Sequence, residues 1–129
     1  MGKEGFKDLI VWQKGKDLAV TIYRATEVGP LGRDFGLRDQ MRRCAVSIPS
    51  NIAEGDERET DKESIRFFYI AKGSLAELRT QIVIAHEIGY LEKKVFEEIE
   101  EVCVALGKMI GSLIKSRQEA TGDRRRHVP

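Results

Sequence analysis

Long apolar runs are absent from this 129-residue sequence, and no stretch approaches the roughly 20 residues that a helix needs to cross a bilayer, so no membrane span is expected. Cysteine is scarce. Cys44 and Cys103 lack the paired spacing of a zinc site or a redox motif, which excludes a disulfide framework and leaves both to be read as reduced core residues. Charge of one sign is also missing: at a net charge of +1, nucleic-acid binding cannot be argued from overall basicity, only from local clusters of Lys and Arg. His86 has no nearby Cys, Asp or second His at ligand spacing, and His127 lies in the tail. Phosphate loop, nucleophile elbow and His-Glu metal motif are all missing, and Glu87 and Glu92 lack the histidine three residues on that di-iron bundles use. These gaps argue against an enzyme, a metal or a cofactor. The start, Met1 to Phe6, has no apolar signal run, and Phe6 stands where a myristoylation motif wants Ser or Thr, so a cytoplasmic protein is expected.

What is present is helical periodicity. With 41% hydrophobic and 33% charged residues and only 3 prolines, the chain is that of one folded domain large enough to bury its own core. A first helix is expected from Asp8, as cap, to about Glu27, with Leu9, Trp12, Ala19, Tyr23 and Thr26 on one face. Val28-Gly29-Pro30-Leu31-Gly32 breaks it. Asp34 caps a second helix with a stripe of Leu37, Met41, Cys44, Ile48 and Ile52; Pro49 inside it predicts a kink, with two helices split at Ile48 as the alternative. Thr60-x-x-Glu63 is a capping box that opens a third helix, whose seam runs through Phe68, Ala71, Leu75, Leu78, Ile82, Ala85 and Gly89, widened by Phe67, Ile70, Ile84 and Ile88. After Gly89-Tyr90-Leu91, a fourth helix has Val95, Ile99, Val102, Leu106, Met109 and Leu113 on its inner face. Short connections make sequential helices antiparallel neighbours, so the expected fold is an all-α, up-down-up-down four-helix bundle over residues 1–119, with a flexible tail over 120–129.

Three blocks carry a family resemblance: Asp8-Leu9-Ile10-Val11-Trp12-Gln13-Lys14; the long run from Gly36 through Arg38-Asp39-Gln40-Met41-Arg42-Arg43-Cys44 to Ile48-Pro49-Ser50-Asn51-Ile52-Ala53-Glu54-Gly55; and Ala71-Lys72-Gly73-Ser74-Leu75-Ala76-Glu77-Leu78. Residues 6 to about 116 resemble the four-helix bundle family encoded by intervening sequences in bacterial 23S ribosomal RNA genes. The resemblance implies a homopentamer without enzymatic activity. It also implies a relation to the accessory variability determinant of diversity-generating retroelements, a pentamer that binds nucleic acid and a reverse transcriptase, which makes a reverse transcriptase or another protein a candidate partner.

Arg38, Arg42 and Arg43 form the densest basic cluster, with Arg38 and Arg42 one turn apart; Asp39 is placed to pair with Arg43, and RNA or DNA phosphate would relieve the rest. Lys72 and Arg79 extend the patch along the third helix. A solvated surface or intersubunit ion pairs would produce the same pattern. More apolar surface is present than one bundle can bury, and Trp12, Tyr69, Ala76 and Val83 are the expected oligomer contacts. Glycine at mid-helix Gly73, beside Ser74, suggests close approach by the kinked second helix, making Gly73 and Pro49 two parts of one packing arrangement. Asn51 and Glu54 are expected to satisfy backbone groups near a helix end, and Arg124-Arg125-Arg126 to be a solvated part of the tail. Two functions follow: a nucleic-acid-binding homo-oligomer, or a structural or protein-interaction oligomer with no nucleic-acid role.

Overall fold

The structure, a computed structural model, describes residues 5–120, so the expected tail, with Arg124 to Arg126 and His127, lies outside the described residues except for Ala120. A 3-10 turn, Gly5–Asp8, leads into α1 (Ile10–Ala25), a short α2 (Gly29–Arg33), α3 (Phe35–Asp56), α4 (Asp61–Glu87) and α5 (Lys93–Ala120). The four long helices make a bundle in which α1 packs on α3 and α5, α3 on α4, and α4 on α5.

Local chemistry explains most of the boundaries. Asp34 accepts the Leu37 amide at 3.1 Å and Thr60 accepts that of Glu63 at 3.2 Å, so the Asp34 cap and the Thr60 half of the expected capping box form. At the far end of α4, Gly89 takes φ 85°. Its amide bonds the His86 carbonyl at 3.0 Å and that of Tyr90 bonds Ala85 at 2.8 Å, the paired closure that a left-handed glycine allows. Three details differ from the sequence reading. Asp8 ends the 3-10 turn and does not cap α1, which starts after Leu9 without a side-chain cap. The Gly-Pro segment expected to be a plain break winds into α2, because Pro30 stands in its first turn, where its missing N–H is no loss, and buried Leu31 anchors it. Helix α3 passes through Pro49 uninterrupted, so two helices split at Ile48 do not form.

The core is continuous and apolar, centred on Leu18, Ile22, Met41, Ile48, Ile52, Phe68, Leu78, Ile82, Leu106 and Ile110. The α4 seam is buried where expected through Phe68, Ala71, Leu75, Leu78, Ile82 and Ala85, but Ile70, Ile84 and Ile88 stay exposed and do not widen it. On α5 the buried stripe is Ile99, Cys103, Leu106, Ile110 and Ile114, and Val102 is turned outward. On α1, Tyr23 is 44% exposed, whereas Val11 and Gly15 are buried with Leu18, Ala19 and Ile22. Packing around the small residues is also redistributed. A Cβ at Gly73 would meet nothing within 4 Å, so α3 does not close on it. Pro49 is approached by Gly15 of α1, where a Cβ would lie 3.7 Å from the proline ring. The tight contact of α3 with α4 is at Gly55, where a Cβ would lie 2.6 Å from the Phe68 ring.

Candidate binding surfaces

The arginine cluster does not present three free guanidinium groups. Arg42 reaches across to the C-terminal end of α1, where its Nε donates to Thr26 Oγ1 at 2.8 Å and its Nη2 to the carbonyls of Tyr23 at 3.3 Å and Thr26 at 3.4 Å. Its Cζ lies over the Tyr23 ring, 4.5 Å from the centroid. The last carbonyls of a helix have no partner in their own ladder and carry the negative end of the helix dipole, so a guanidinium there closes α1 chemically. Arg38 does the same for α2, donating to the Gly32 carbonyl at 3.3 Å while its Nε pairs with Asp39 at 3.0 Å. Asp39 therefore serves Arg38 and not Arg43. Arg43 is exposed on the α4 side of α3 and makes no ion pair among the described residues.

The other two basic candidates lie elsewhere. Arg79 bridges α4 to Glu100 of α5 at 2.8 Å, and that hydrogen bond raises its pKa; Arg79 Nε and Glu100 Oε1 are buried without a partner among the described residues. Exposed Lys72 lies over Tyr69 on the same α4–α5 side, with 6.0 Å from Nζ to the ring centroid. In the order α1, α3, α4, α5 around the bundle, Arg42, Arg43 and the pair Lys72 and Arg79 lie in three different grooves and Arg38 at the end of α2, so the five cations do not make one patch within a single chain.

The residues expected at an oligomer interface divide as well. Tyr69 (50% exposed), Ala76 and Val83 (37% exposed) line the outer flank of α4. Trp12 is half-buried across the bundle, edge-on to Phe6 with 5.2 Å between centroids. Together with Val20, Tyr23, Val46 and Pro49 these rings line an open apolar groove between α1 and α3. Sequence periodicity marked its Trp12 and Tyr23 as parts of an inner face, and missed the groove because it is shared by two helices.

A second cleft, between α3 and α4, is polar. Ser47 and Ser74 share a hydrogen bond of 2.8 Å, and Asn51 Nδ2 donates to the Ser47 carbonyl and hydroxyl at 2.8 Å and 2.9 Å. Asn51 thus works inside α3, while Glu54 pairs with Arg58, and neither closes a helix end. Cys44, half-buried, takes Gln81 Nε2 at 3.4 Å and faces Glu77 Oε1 at 3.9 Å. Burial pushes its thiol pKa up; for fully buried Cys103, burial and the nearby Glu100 push it to about 12. Polar side chains from two helices meet here, a grouping that spacing within either helix does not reveal. His86 has a structural place: its ring stacks on Phe96 at 4.4 Å, and Nδ1 lies 3.1 Å from the Leu91 carbonyl, tying the α4–α5 turn together. Tyr90 donates to the second oxygen of Asp34 at 3.2 Å and holds that turn against the start of α3.

Compared with known proteins, the model of the 23S rRNA-intervening sequence protein family matches residues 7–112. No curated protein matches. Among solved structures, a protein of unknown function from the S23 ribosomal protein family of Bacteroides thetaiotaomicron is similar in fold, with a TM-score of 0.75 and 23% identity over 82% of this chain and 99% of that one.

Proposed function

Because this chain belongs to the family of 23S rRNA-intervening sequence proteins, and its bundle leaves apolar side chains outside the core, we propose that it is a non-enzymatic module that works by assembling with copies of itself. The observation that carries this reading is the groove between α1 and α3, where Val20 (41% exposed), Tyr23 (44%) and Val46 (42%) stand together around Pro49 and Trp12. A contiguous apolar surface of this kind marks an interaction site, since isolated exposed apolar residues need no partner but a cluster loses hydration free energy for every ring left in water. The outer flank of α4, with Tyr69, Ala76 and Val83, is a different apolar surface on another side of the bundle. Two unlike surfaces joined head to tail give a heterologous contact, which closes into a ring when the rotation allows; five subunits is the number the family resemblance implies.

Light scattering on the purified chain tests this. A mass several times 14.6 kDa is expected, falling to 14.6 kDa in a Tyr23→Glu, Val46→Lys variant whose helical circular dichroism is unchanged; wild type at the monomer mass sinks the reading. Exposed Arg43 and Lys72, which make no ion pair among the described residues, favour a second role for the assembled form, contact with RNA or DNA phosphate multiplied by repetition around a ring. Filter binding at low salt should then show wild type retaining nucleic acid and an Arg43→Ala, Lys72→Ala variant losing it. Absence of wild-type binding removes this second role and leaves assembly standing.

A further inference from the structure

Charge runs in opposite order along the two surfaces named above for assembly. Contacts inside the bundle show which residues stand level. Arg42 of α3 reaches Tyr23 of α1, and nearby Cys44 meets Gln81 of α4, so the last turn of α1 lies level with Gln81 and Val83. The Arg79–Glu100 bridge brings Glu97, one turn before Glu100 on α5, to the same level. Toward the α3–α4 connection, Gly15 faces Pro49 and Gly55 faces Phe68, which sets Phe6 and Trp12 level with Tyr69 and Gly111. At the α2 end, the α1–α3 surface has Arg24 and Arg42 against Glu27; at the other end, Asp8, Glu54 and Glu57 stand against Lys7 and Arg58. Its middle is neutral, because Lys16 pairs with Asp17. The α4–α5 surface is reversed. Next to the Gly89 turn it has Glu97 and Glu101, exposed and without an ion pair among the described residues, while Lys93 and Lys94 are equalled in number by Glu87 and Glu92. Farther along, Lys72, Lys108 and Lys115 outnumber Glu119.

We infer that two copies pack side by side with their bundles pointing the same way, the α1–α3 groove of one against the α4–α5 surface of the next. This rests on the assembly reading and adds its polarity. In that alignment Arg24 faces Glu97 of the next copy, and Glu57 faces Lys115 of the next copy. The reverse alignment sets Arg24 and Arg42 beside the lysines and Glu57 beside Glu97 and Glu101, like charge against like at both ends. Charges at the rim of an interface add little affinity, but like charges set face to face cost enough to choose between two alignments. Shape agrees with charge. Gly111 floors a hollow of about 310 Å³ beside Tyr69 and Lys72, and a Cβ there would meet nothing within 4 Å, which leaves room for the Phe6–Trp12 ring pair of a neighbour at that level.

Sedimentation velocity over a dilution series of the full chain at low salt reads the alignment from charge reversals. Arg24→Glu and Glu97→Lys are each expected to weaken assembly about three- to ten-fold, and the doubly reversed chain to return to within about two-fold of wild type, because every contact joins one of each surface. Glu57→Lys and Lys115→Glu repeat the test at the opposite end, so that if circular dichroism shows one variant misfolded, the other pair decides. Recovery in either doubly reversed chain supports the inference. The reverse alignment predicts the opposite sign, with Arg24→Glu and Lys115→Glu each assembling more tightly than wild type. That result overturns the inference, as does a failure of both doubly reversed chains to recover beyond the sum of their single reversals. Wild type at the monomer mass removes the assembly reading and this inference with it, whereas an assembled wild type whose reversals do not couple removes the polarity alone.

Discussion

Replacing Arg42 by alanine separates a structural guanidinium from a phosphate contact. In the folded chain this side chain makes three hydrogen bonds to the end of α1 and covers the Tyr23 ring. Hydrogen bonds from a charged donor contribute about 1.5–3 kcal/mol in favourable cases, but two of the three are long, at 3.3 Å and 3.4 Å, and one side of the group is open to solvent. Stacking on an exposed ring adds roughly 0.5–1 kcal/mol, and a cation at a helix C-terminus about 0.3–1 kcal/mol. These contributions overlap, so a loss of about 2–3 kcal/mol is the expected total, or on the order of 6–12 °C in Tm for a domain of this size. Urea and thermal unfolding followed by circular dichroism, at one protein concentration because assembly shifts Tm, measure it. Arg43→Ala is the control and should stay within about 0.5 kcal/mol of wild type, as exposed substitutions do. Arg42→Lys should recover only part of the loss, since a single ammonium cannot reach Thr26 Oγ1 and two carbonyls while lying flat on a ring. If Arg42→Ala unfolds at the wild-type temperature, the guanidinium is not holding α1, and the case for a free basic cluster returns.

Other substitutions test the packing. Gly55→Ala should destabilise by about 1–3 kcal/mol in urea titrations despite its better helix propensity, because its Cβ would sit 2.6 Å from Phe68 and 2.9 Å from the Ser64 carbonyl. Gly73→Ala should act oppositely, raising stability by up to about 1 kcal/mol, as its Cβ enters open space on a helix with ordinary φ; a destabilised variant at monomeric concentration would contradict this. Alkylation at pH 8 read by mass spectrometry should label Cys44 slowly and Cys103 only on unfolding, since a thiol held near pKa 12 has almost no thiolate. The same raised pKa makes the Cys103 contribution complete below its ordinary value of 9.0 and lost as pH rises from there towards 12, so a Cys103→Ala variant should show a shallower alkaline fall in stability.

The four long helices, the boundaries at Asp34, Thr60 and Gly89 and the α4 seam were legible in the sequence because each is local: those three residues act within a few positions, and Phe68 to Ala85 keep one spacing for 18 residues. On α5, Ile99 and Leu106 were read correctly, but that helix has two overlapping apolar stripes, and only packing against α1 and α4 buries Cys103 and Ile110 fully while Val102 turns outward and Met109 stays partly buried. Arg38 and Arg42 looked like repelling neighbours for a related reason. Their relief comes from carbonyls 6 to 19 residues earlier in the chain, which every residue possesses and no side-chain pattern advertises. The glycines repeat the lesson. Gly73 stood out by lying between good helix formers, whereas Gly55, beside charged residues at the end of α3, gave no sign that Phe68 would press against it.

The ion pairs at the end of α5 have a consequence for handling the protein. Arg117 bonds Asp56 at 2.9 Å and lies 3.7 Å from Asp61, and at the other end of the chain Gly5 lies beside Glu57. The described chain thus enters and leaves next to the same short α3–α4 connection, while the Gly89 turn lies a full α4 length away. A fluorescent label attached at either end of the described segment, near Gly5 or near Ala120, will project from the same pole. A short linker joining Gly5 to Ala120, with new ends cut at Gly89, should yield a circular permutant that keeps every described helix whole.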